Sequence, residues 1–73
     1  MADLSPREVL IVRNIYRGLT YKEVALELHS SESRIKEACK RLRQKIGANN
    51  RSHVVRWWAE TGKQLYPAET PKF

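Results

Sequence analysis

The residues that could do chemistry in this chain are mainly cations, and one segment holds most of them. Between residues 34 and 56, eight Lys/Arg less one acid, Glu37, give a net charge of +7, while the whole 73-residue chain carries +6. The eight are Arg34, Lys36, Lys40, Arg41, Arg43, Lys45, Arg51 and Arg56. So local a positive charge favours a polyanionic partner, of which nucleic acid is the commonest.

Catalytic and metal-binding chemistry lacks matching residues in the sequence. His29 and His53 are far apart, lack a His-Glu-x-x-His pattern and have no cysteine pair beside them, so we expect no metal site. The single Asp, Asp3, lies near the N-terminus, and no Ser/His/Asp set or Gly-rich phosphate loop is present. We therefore expect neither an enzyme nor a cofactor. Cys39 is the only cysteine, which suits a reducing compartment and a role in the core.

Signals for export or membrane insertion are missing from these residues. The opening MADLSPRE has no basic segment followed by an apolar one, so it does not resemble a signal peptide. No apolar run approaches the ~20 residues of a membrane-spanning helix. We expect a soluble, cytoplasmic protein with no membrane partner.

Capping signals predict an all-α fold with four helices. Ser5 and Glu8 form a capping box around Pro6, and Thr20 and Glu23 form a second one. Ser31 can cap the third helix. We expect helices at about residues 6–17, 21–28, 32–46 and 51–61.

Glycines mark the expected helix ends and the end of the domain. Gly18, Gly47 and Gly62 each follow a helical pattern, as left-handed C-terminal residues do. We expect one domain over residues 1–62 and a mostly disordered tail over 63–73, which has two prolines and no period.

Apolar residues at helical spacing predict which faces are buried. In the third helix Ile35, Cys39, Leu42 and Ile46 recur at spacings of four, three and four, so the cations lie on the remaining faces. The inward positions elsewhere are Ile11, Val12, Ile15, Val24, Ala25, Leu28, Val54, Val55 and Trp58. A short helix, a polar break and a longer basic helix are the layout of a helix-turn-helix.

Three residues early in the third helix are candidates for contacts with base edges. Lys36 and Lys40 can donate to guanine O6 or N7, and Glu37 can accept from a cytosine amino group. The alternative for the lysines is a solvated helix face without a specific role. The alternative for Glu37 is an ion pair with Arg41, four residues later.

A larger set of residues suits contacts with DNA phosphates, which fix register without reading sequence. Backbone amides at the start of the second helix and the Tyr21 hydroxyl can bind a phosphate, although Tyr21 could equally serve in packing. The set is Thr20, Tyr21, Lys22, Arg34, Arg41, Arg43, Lys45 and Arg51.

The chain resembles the LuxR-type (GerE) helix-turn-helix domain over about residues 4–62. The matching pieces are LSPRE (4–8), Gly18-Leu19-Thr20, KEVALEL (22–28), Ser31-Glu32, Ile35-Lys36, Lys45-Ile46-Gly47 and Arg51. The resemblance implies a four-helix DNA-binding unit of a bacterial transcription regulator. In that family helix three reads the major groove and helix four commonly mediates dimerisation. The family usually has Thr where this chain has Arg34 and often His where it has Ala38, so a different target sequence is expected. Family members usually carry a receiver or ligand-binding domain as well, and these 73 residues contain neither, so a free-standing regulator is expected.

The fourth helix is the expected interface with a second copy. Trp57 and Trp58 point about 100° apart on a helix, so only one can face the core, and Trp58 fits the inward stripe. The resemblance then implies a homodimer interface that includes Val54, Trp57 and Thr61. The alternative is that Leu65 or Tyr66 covers Trp57.

Two functions are compatible with these features. The first is a sequence-specific, double-stranded DNA-binding transcription regulator that reads the major groove with helix three. The second is a protein-binding antagonist or co-regulator that engages another LuxR-type regulator or RNA polymerase. Leu10 and Leu26, apolar at positions that the family usually fills with polar residues, favour the second.

Overall fold

Helices make up most of residues 4–66, the part of the chain that the computed structural model describes. Helix α1 spans Pro6–Tyr16, α2 Tyr21–Glu27, α3 Glu32–Ile46 and α4 Arg51–Trp57; a π-helical segment, Trp58–Gly62, and α5, Lys63–Leu65, follow without a break. These residues contain no strand, and none of their helices is long and apolar enough to cross a membrane. The all-α class is confirmed, and the first three helices end within one residue of their expected ends.

Both predicted capping boxes are formed. The Ser5 hydroxyl accepts from the Glu8 amide at 3.2 Å, while the Ser5 amide donates to the Glu8 carboxylate at 2.9 Å. Thr20 and Glu23 make the same pair of bonds at 3.1 and 2.8 Å. The Asn50 side chain caps α4. The short helices thus begin at fixed residues because their first amides are satisfied locally.

One core joins α1 to α4 and the π-helical segment. Its buried apolar members are Leu4, Ile11, Val12, Ile15, Val24, Ala25, Ile35, Cys39, Leu42, Val54 and Trp58. The predicted stripes are therefore confirmed, except that Leu28, Ile46 and Val55 are only partly buried and pack at the edge of this core.

The turn between α2 and α3 sets the angle of the helix-turn-helix. His29 has a left-handed φ of 54°. The Ser30 amide donates to the Ala25 carbonyl at 2.8 Å, and the His29 amide donates to the Leu26 carbonyl at 3.3 Å. This is the bond pattern of a Schellman motif, which usually has glycine at the left-handed residue.

The C-terminal helix is longer than the sequence predicts, so the expected end at residue 61 is wrong. Gly62 has a right-handed helical φ of −58°. The Lys63 amide donates to the Trp58 carbonyl five residues earlier, as in a π-turn. A Cβ at Gly62 would lie 2.5 Å from the Trp58 ring and 2.6 Å from the Trp57 ring, so this glycine makes room for two indoles and does not stop the helix.

The start and the end of the described chain are joined. The Leu4 amide donates to the Tyr66 hydroxyl at 2.7 Å, and the Lys63 ammonium lies 5.7 Å from the centroid of the Tyr16 ring. Residues 63–65, expected to begin the tail, thus continue the helix, and Lys63 and Tyr66 contact α1 and the segment before it. The rest of the expected tail, residues 67–73, lies outside the described residues.

Candidate nucleic-acid interface

Helix α3 is held by one buried stripe and exposes its cationic faces. Ser31 caps it, with its hydroxyl accepting from the Arg34 amide at 3.2 Å. Ile35, Cys39 and Leu42 anchor it in the core. Since α2 and α1 both pack on that stripe, the opposite side of this 15-residue helix is free to meet another molecule.

The three predicted base-contact residues are all exposed on α3. The solvent reaches the side chains of Lys36, Glu37 and Lys40. The Lys36 ammonium lies 3.6 Å from the Glu32 carboxylate, and these side chains are 58% and 48% exposed. An ion pair this exposed to solvent contributes little to stability, and it leaves the Lys36 ammonium available for a contact with another molecule.

The alternative role for Glu37, an ion pair with Arg41, is not observed. Within residues 4–66 the ion pairs are Lys36–Glu32 and Lys45–Glu8. The carboxylate of Glu37 therefore has no cation partner in this part of the chain, although it lies among lysines and arginines.

A cluster of predicted phosphate-contact residues lies where the start of α2 meets α3 and α4. The Arg51 guanidinium donates to the Leu19 carbonyl and lies 5.7 Å from the centroid of the Tyr21 ring. Burial raises the pKa of the Cys39 thiol, while Arg43, Arg51 and a hydrogen bond with Tyr21 act in the opposite direction. The contacts of Arg51 thus join the start of α2 to α4 at this place.

The residues of this cluster differ in how free they are. Thr20 and Lys22 are exposed, whereas Tyr21, Arg43 and Arg51 are half-buried. Tyr21 packs at the edge of the core, which agrees with its alternative role in packing. Arg51 has a structural role as well, because it ties α4 to the residue before the cap of α2.

Arg34 and Arg41 lie on a different flank of α3. Both are exposed and line an open groove of about 820 Å³ between α3, the start of α1 and the turn before α3. Glu37 lines the same groove. Arg34 and Arg41 are seven residues apart, so they point in nearly the same direction from the helix.

Lys45, one of the predicted phosphate contacts, is already paired within the fold. Its ammonium donates to the Glu8 carboxylate at 2.8 Å. Burial acts to raise the pKa of Glu8, but hydrogen bonds from Lys45 and Ser5 and the charge of Lys45 together hold that pKa below its ordinary value. Glu8 is almost fully buried, and removing its counter-ion would leave a buried charge unpaired.

Two of the three predicted interface residues lie at the surface of the C-terminal helix. Val54 is 2% exposed and belongs to the core, so it cannot contact a second copy and its predicted place in the interface was wrong. Trp57 is half-buried against Trp58, with ring centroids 6.3 Å apart, and Thr61 is exposed.

No group of three His, Cys, Asp or Glu side chains in residues 4–66 is placed to hold a metal ion. The grouped side chains that the structure does show are cations, at two places on the helix-turn-helix.

Comparison with known proteins agrees with this arrangement. The sequence model of a family described as "Bacterial regulatory proteins, luxR family" matches residues 2–58. The chain is 33% identical over 60 residues to "Response regulator Rre1" from Synechocystis sp., an alignment that covers 82% of this chain and 26% of that protein. The chain thus spans about a quarter of the length of this relative. The match covers most of the chain, and the fold has the exposed cationic third helix of a helix-turn-helix. The chain therefore belongs to the luxR family of bacterial regulatory proteins, whose helix-turn-helix domain binds DNA in the regulation of transcription.

Proposed function

We propose that this chain is a sequence-specific, double-stranded DNA-binding transcription regulator whose helix α3 enters the major groove. The observation that carries the proposal is the exposure of Lys36, Glu37 and Lys40 along one side of a helix that is fixed by its buried stripe. An α-helix with side chains is about 10–12 Å wide and the major groove is about 12 Å wide, so one helix fills it.

The three side chains supply different contacts with base edges. Lys36 and Lys40 donate to guanine O6 and N7, and Glu37 accepts from the exocyclic amine of cytosine. Glu37 supports sequence recognition best, because a carboxylate close to phosphates is unfavourable unless it gains a specific donor. Contacts with phosphates then hold α3 in register. The residues that make them are Thr20, Lys22, Arg34, Arg41 and Arg43.

A selection from random duplexes, followed by gel-shift titrations, tests the proposal. Lys36→Ala and Lys40→Ala should weaken binding to the selected site more than binding to random DNA, because base contacts discriminate by about 1–3 kcal/mol each. Arg41→Ala removes the same charge from a predicted phosphate contact and should weaken both alike. Equal losses for all three variants on both duplexes would reject the base-contact roles.

A homodimer that pairs the C-terminal helices of two copies is part of the proposal. Trp57 and Thr61 lie at the surface of this helix, and Leu65, which is also exposed, extends it by one further turn. A dimer on a two-fold or direct repeat would double the number of phosphate contacts and steepen the salt dependence of binding. Sedimentation equilibrium of wild type and Trp57→Ala tests it; a monomer at micromolar concentrations, free and on DNA, would reject it.

Since the DNA of bacteria lies in the cytoplasm, we place the protein there.

The second candidate is a protein-binding antagonist or co-regulator of another LuxR-type regulator or of RNA polymerase. It is favoured by Leu26, which is 71% exposed, and by Leu10, which is also exposed, because large apolar side chains at a surface suit protein contacts. Titration of random duplex DNA at ~50 mM salt separates the candidates, since a DNA reader binds non-specifically there. Two results together would favour this candidate. The chain would not bind the duplex, and it would capture a regulator from bacterial lysate in a way that Leu26→Ser abolishes.

A further inference from the structure

The groove between α1 and α3 carries positive charge from two helices. The charged side chains that line it are Arg7 and Glu8 from α1 and Arg34, Glu37 and Arg41 from α3. Arg7 lies outside the helix-turn-helix and 27 residues before Arg34 in sequence, yet the fold brings both to one groove.

The charges that line this groove do not cancel. Glu8 is paired with Lys45, so Glu37 is the only unpaired acid facing three arginines. None of the three takes part in an ion pair within the described residues, and all three are exposed. Three guanidinium groups beside one unpaired carboxylate leave a net positive charge that attracts an anion, and their planar forks suit phosphate oxygens.

The position of the groove relative to the proposed DNA-reading side identifies which anion fits. Glu37 is both a candidate base contact and a lining residue of the groove. Since α3 fills the major groove, each flank of the helix must face one of the two sugar–phosphate strands that border it. Tyr21, Arg43 and Arg51 lie on the flank towards α2 and α4, so the flank with Arg34 and Arg41 faces the other strand.

We infer that Arg7 is a DNA-backbone contact and that the α1–α3 groove receives the second strand bordering the major groove, with Arg7 opposite Arg34 and Arg41. This inference rests on the proposed function and deepens it by adding α1 to the DNA-binding surface. The fold itself supports the arrangement, because the Glu8–Lys45 ion pair fixes the start of α1 against α3. Arg7 is therefore a positioning residue that carries no sequence preference.

The test is the salt dependence of binding for Arg7→Ala, with Arg13→Ala as a matched control. Arg13 is on the same helix but lines a separate cavity with Leu10 and Glu27, so it removes an equal charge elsewhere. Loss of one phosphate contact reduces the slope of log K against log salt by about 0.9 for each bound copy. The affinity deficit of Arg7→Ala should therefore be about 3.5 times larger at 50 mM than at 200 mM salt for one bound copy, and about 12 times larger for the proposed dimer. The deficit should be alike for selected and random duplexes.

Further outcomes decide between the inference and its alternatives. Arg7→Lys keeps the charge and should keep most of the wild-type slope. The role of Arg7 would be overturned if Arg7→Ala kept the wild-type slope, or if Arg13→Ala reduced the slope as much as Arg7→Ala does. The DNA-binding function would stand in both cases. Failure of the wild-type protein itself to bind any duplex would overturn the proposed function, and the inference with it. Thermal unfolding of each variant shows that the fold is intact, which is expected because Arg7 is exposed.

Discussion

Replacing Lys45 with methionine separates a structural cation from a DNA-binding one. The Lys45 ammonium lies 2.8 Å from the Glu8 carboxylate, whose side chain is only 10% exposed, while that of Lys45 is 42% exposed. Methionine keeps most of the chain length and removes the charge. The variant therefore leaves a buried carboxylate that still accepts from the Ser5 amide at 2.9 Å but has lost its counter-ion.

The expected loss of stability follows from this geometry. A hydrogen bond to a charged group contributes about 1.5–3 kcal/mol, and water around the half-exposed Lys45 screens the pair. We therefore expect Lys45→Met to lower the free energy of unfolding by about 1 kcal/mol. For a domain of 60–100 residues this corresponds to a fall in Tm of about 4–8 °C, measurable by circular dichroism.

The pH dependence of this loss gives a sharper check. Because the pKa of Glu8 is lowered in the folded protein, its stabilising contribution is complete above the unfolded pKa of about 4.3 and is lost as pH falls through the lower folded pKa. The Tm difference between wild type and Lys45→Met should thus be largest near neutral pH and shrink below about pH 4.3. A difference that stays constant from neutral to strongly acidic pH would refute the assignment of the loss to this ion pair.

The same variant tests whether Lys45 belongs to the DNA-binding set. If Lys45 stays with Glu8 on DNA, Lys45→Met leaves the salt slope of binding unchanged, whereas Arg41→Ala lowers it by about 0.9 for each bound copy. An equal reduction by both variants would show that Lys45 leaves Glu8 to bind a phosphate.

Three further changes test local features of the fold. His29→Gly should raise the free energy of unfolding, measured in urea, by about 0.5 kcal/mol. Glycine adopts the left-handed φ of 54° without strain, and this gain is larger than the extra chain entropy that glycine loses on folding; a lower free energy of unfolding would contradict this. Gly62→Ala should destabilise by about 1–3 kcal/mol, although alanine usually favours a helix, because the new Cβ would lie 2.5 Å from the Trp58 ring; a raised Tm would show that the ring moves aside. Tyr66→Phe should cost about 1 kcal/mol and speed hydrogen exchange of the Leu4 amide, which donates to Tyr66; unchanged exchange would rule out that bond in solution.

Features that depend on residues a few positions apart could be predicted from the sequence. Ser5 with Glu8 and Thr20 with Glu23 are three residues apart, and each pair forms the expected capping box. The stripe in α3 depends only on helical spacing. Local rules suffice there because the atoms that interact belong to the same turn of helix.

Features that depend on how the helices pack could not be predicted in this way. Glu8 and Lys45 are 37 residues apart and meet only when α1 crosses α3. Each had a simpler local role, Glu8 in a capping box and Lys45 among the cations near the end of a basic helix. Gly62 fits the sequence rule for a helix end. In the structure it lies within a helix, and glycine is needed there because two indole rings occupy the space that a Cβ would take.

The positive charge of α3 and α4 therefore divides into two functions that a count of cations cannot separate. Lys45 neutralises a buried acid, and Arg51 donates to the Leu19 carbonyl over the Tyr21 ring, so both already stabilise the packing of helices. Arg7, which lies outside the basic segment, has instead an exposed position beside the remaining cations. Because the salt slope counts the phosphates that are neutralised, it should follow the cations that the fold leaves free, and it should fall short of the number of Lys and Arg in the basic segment.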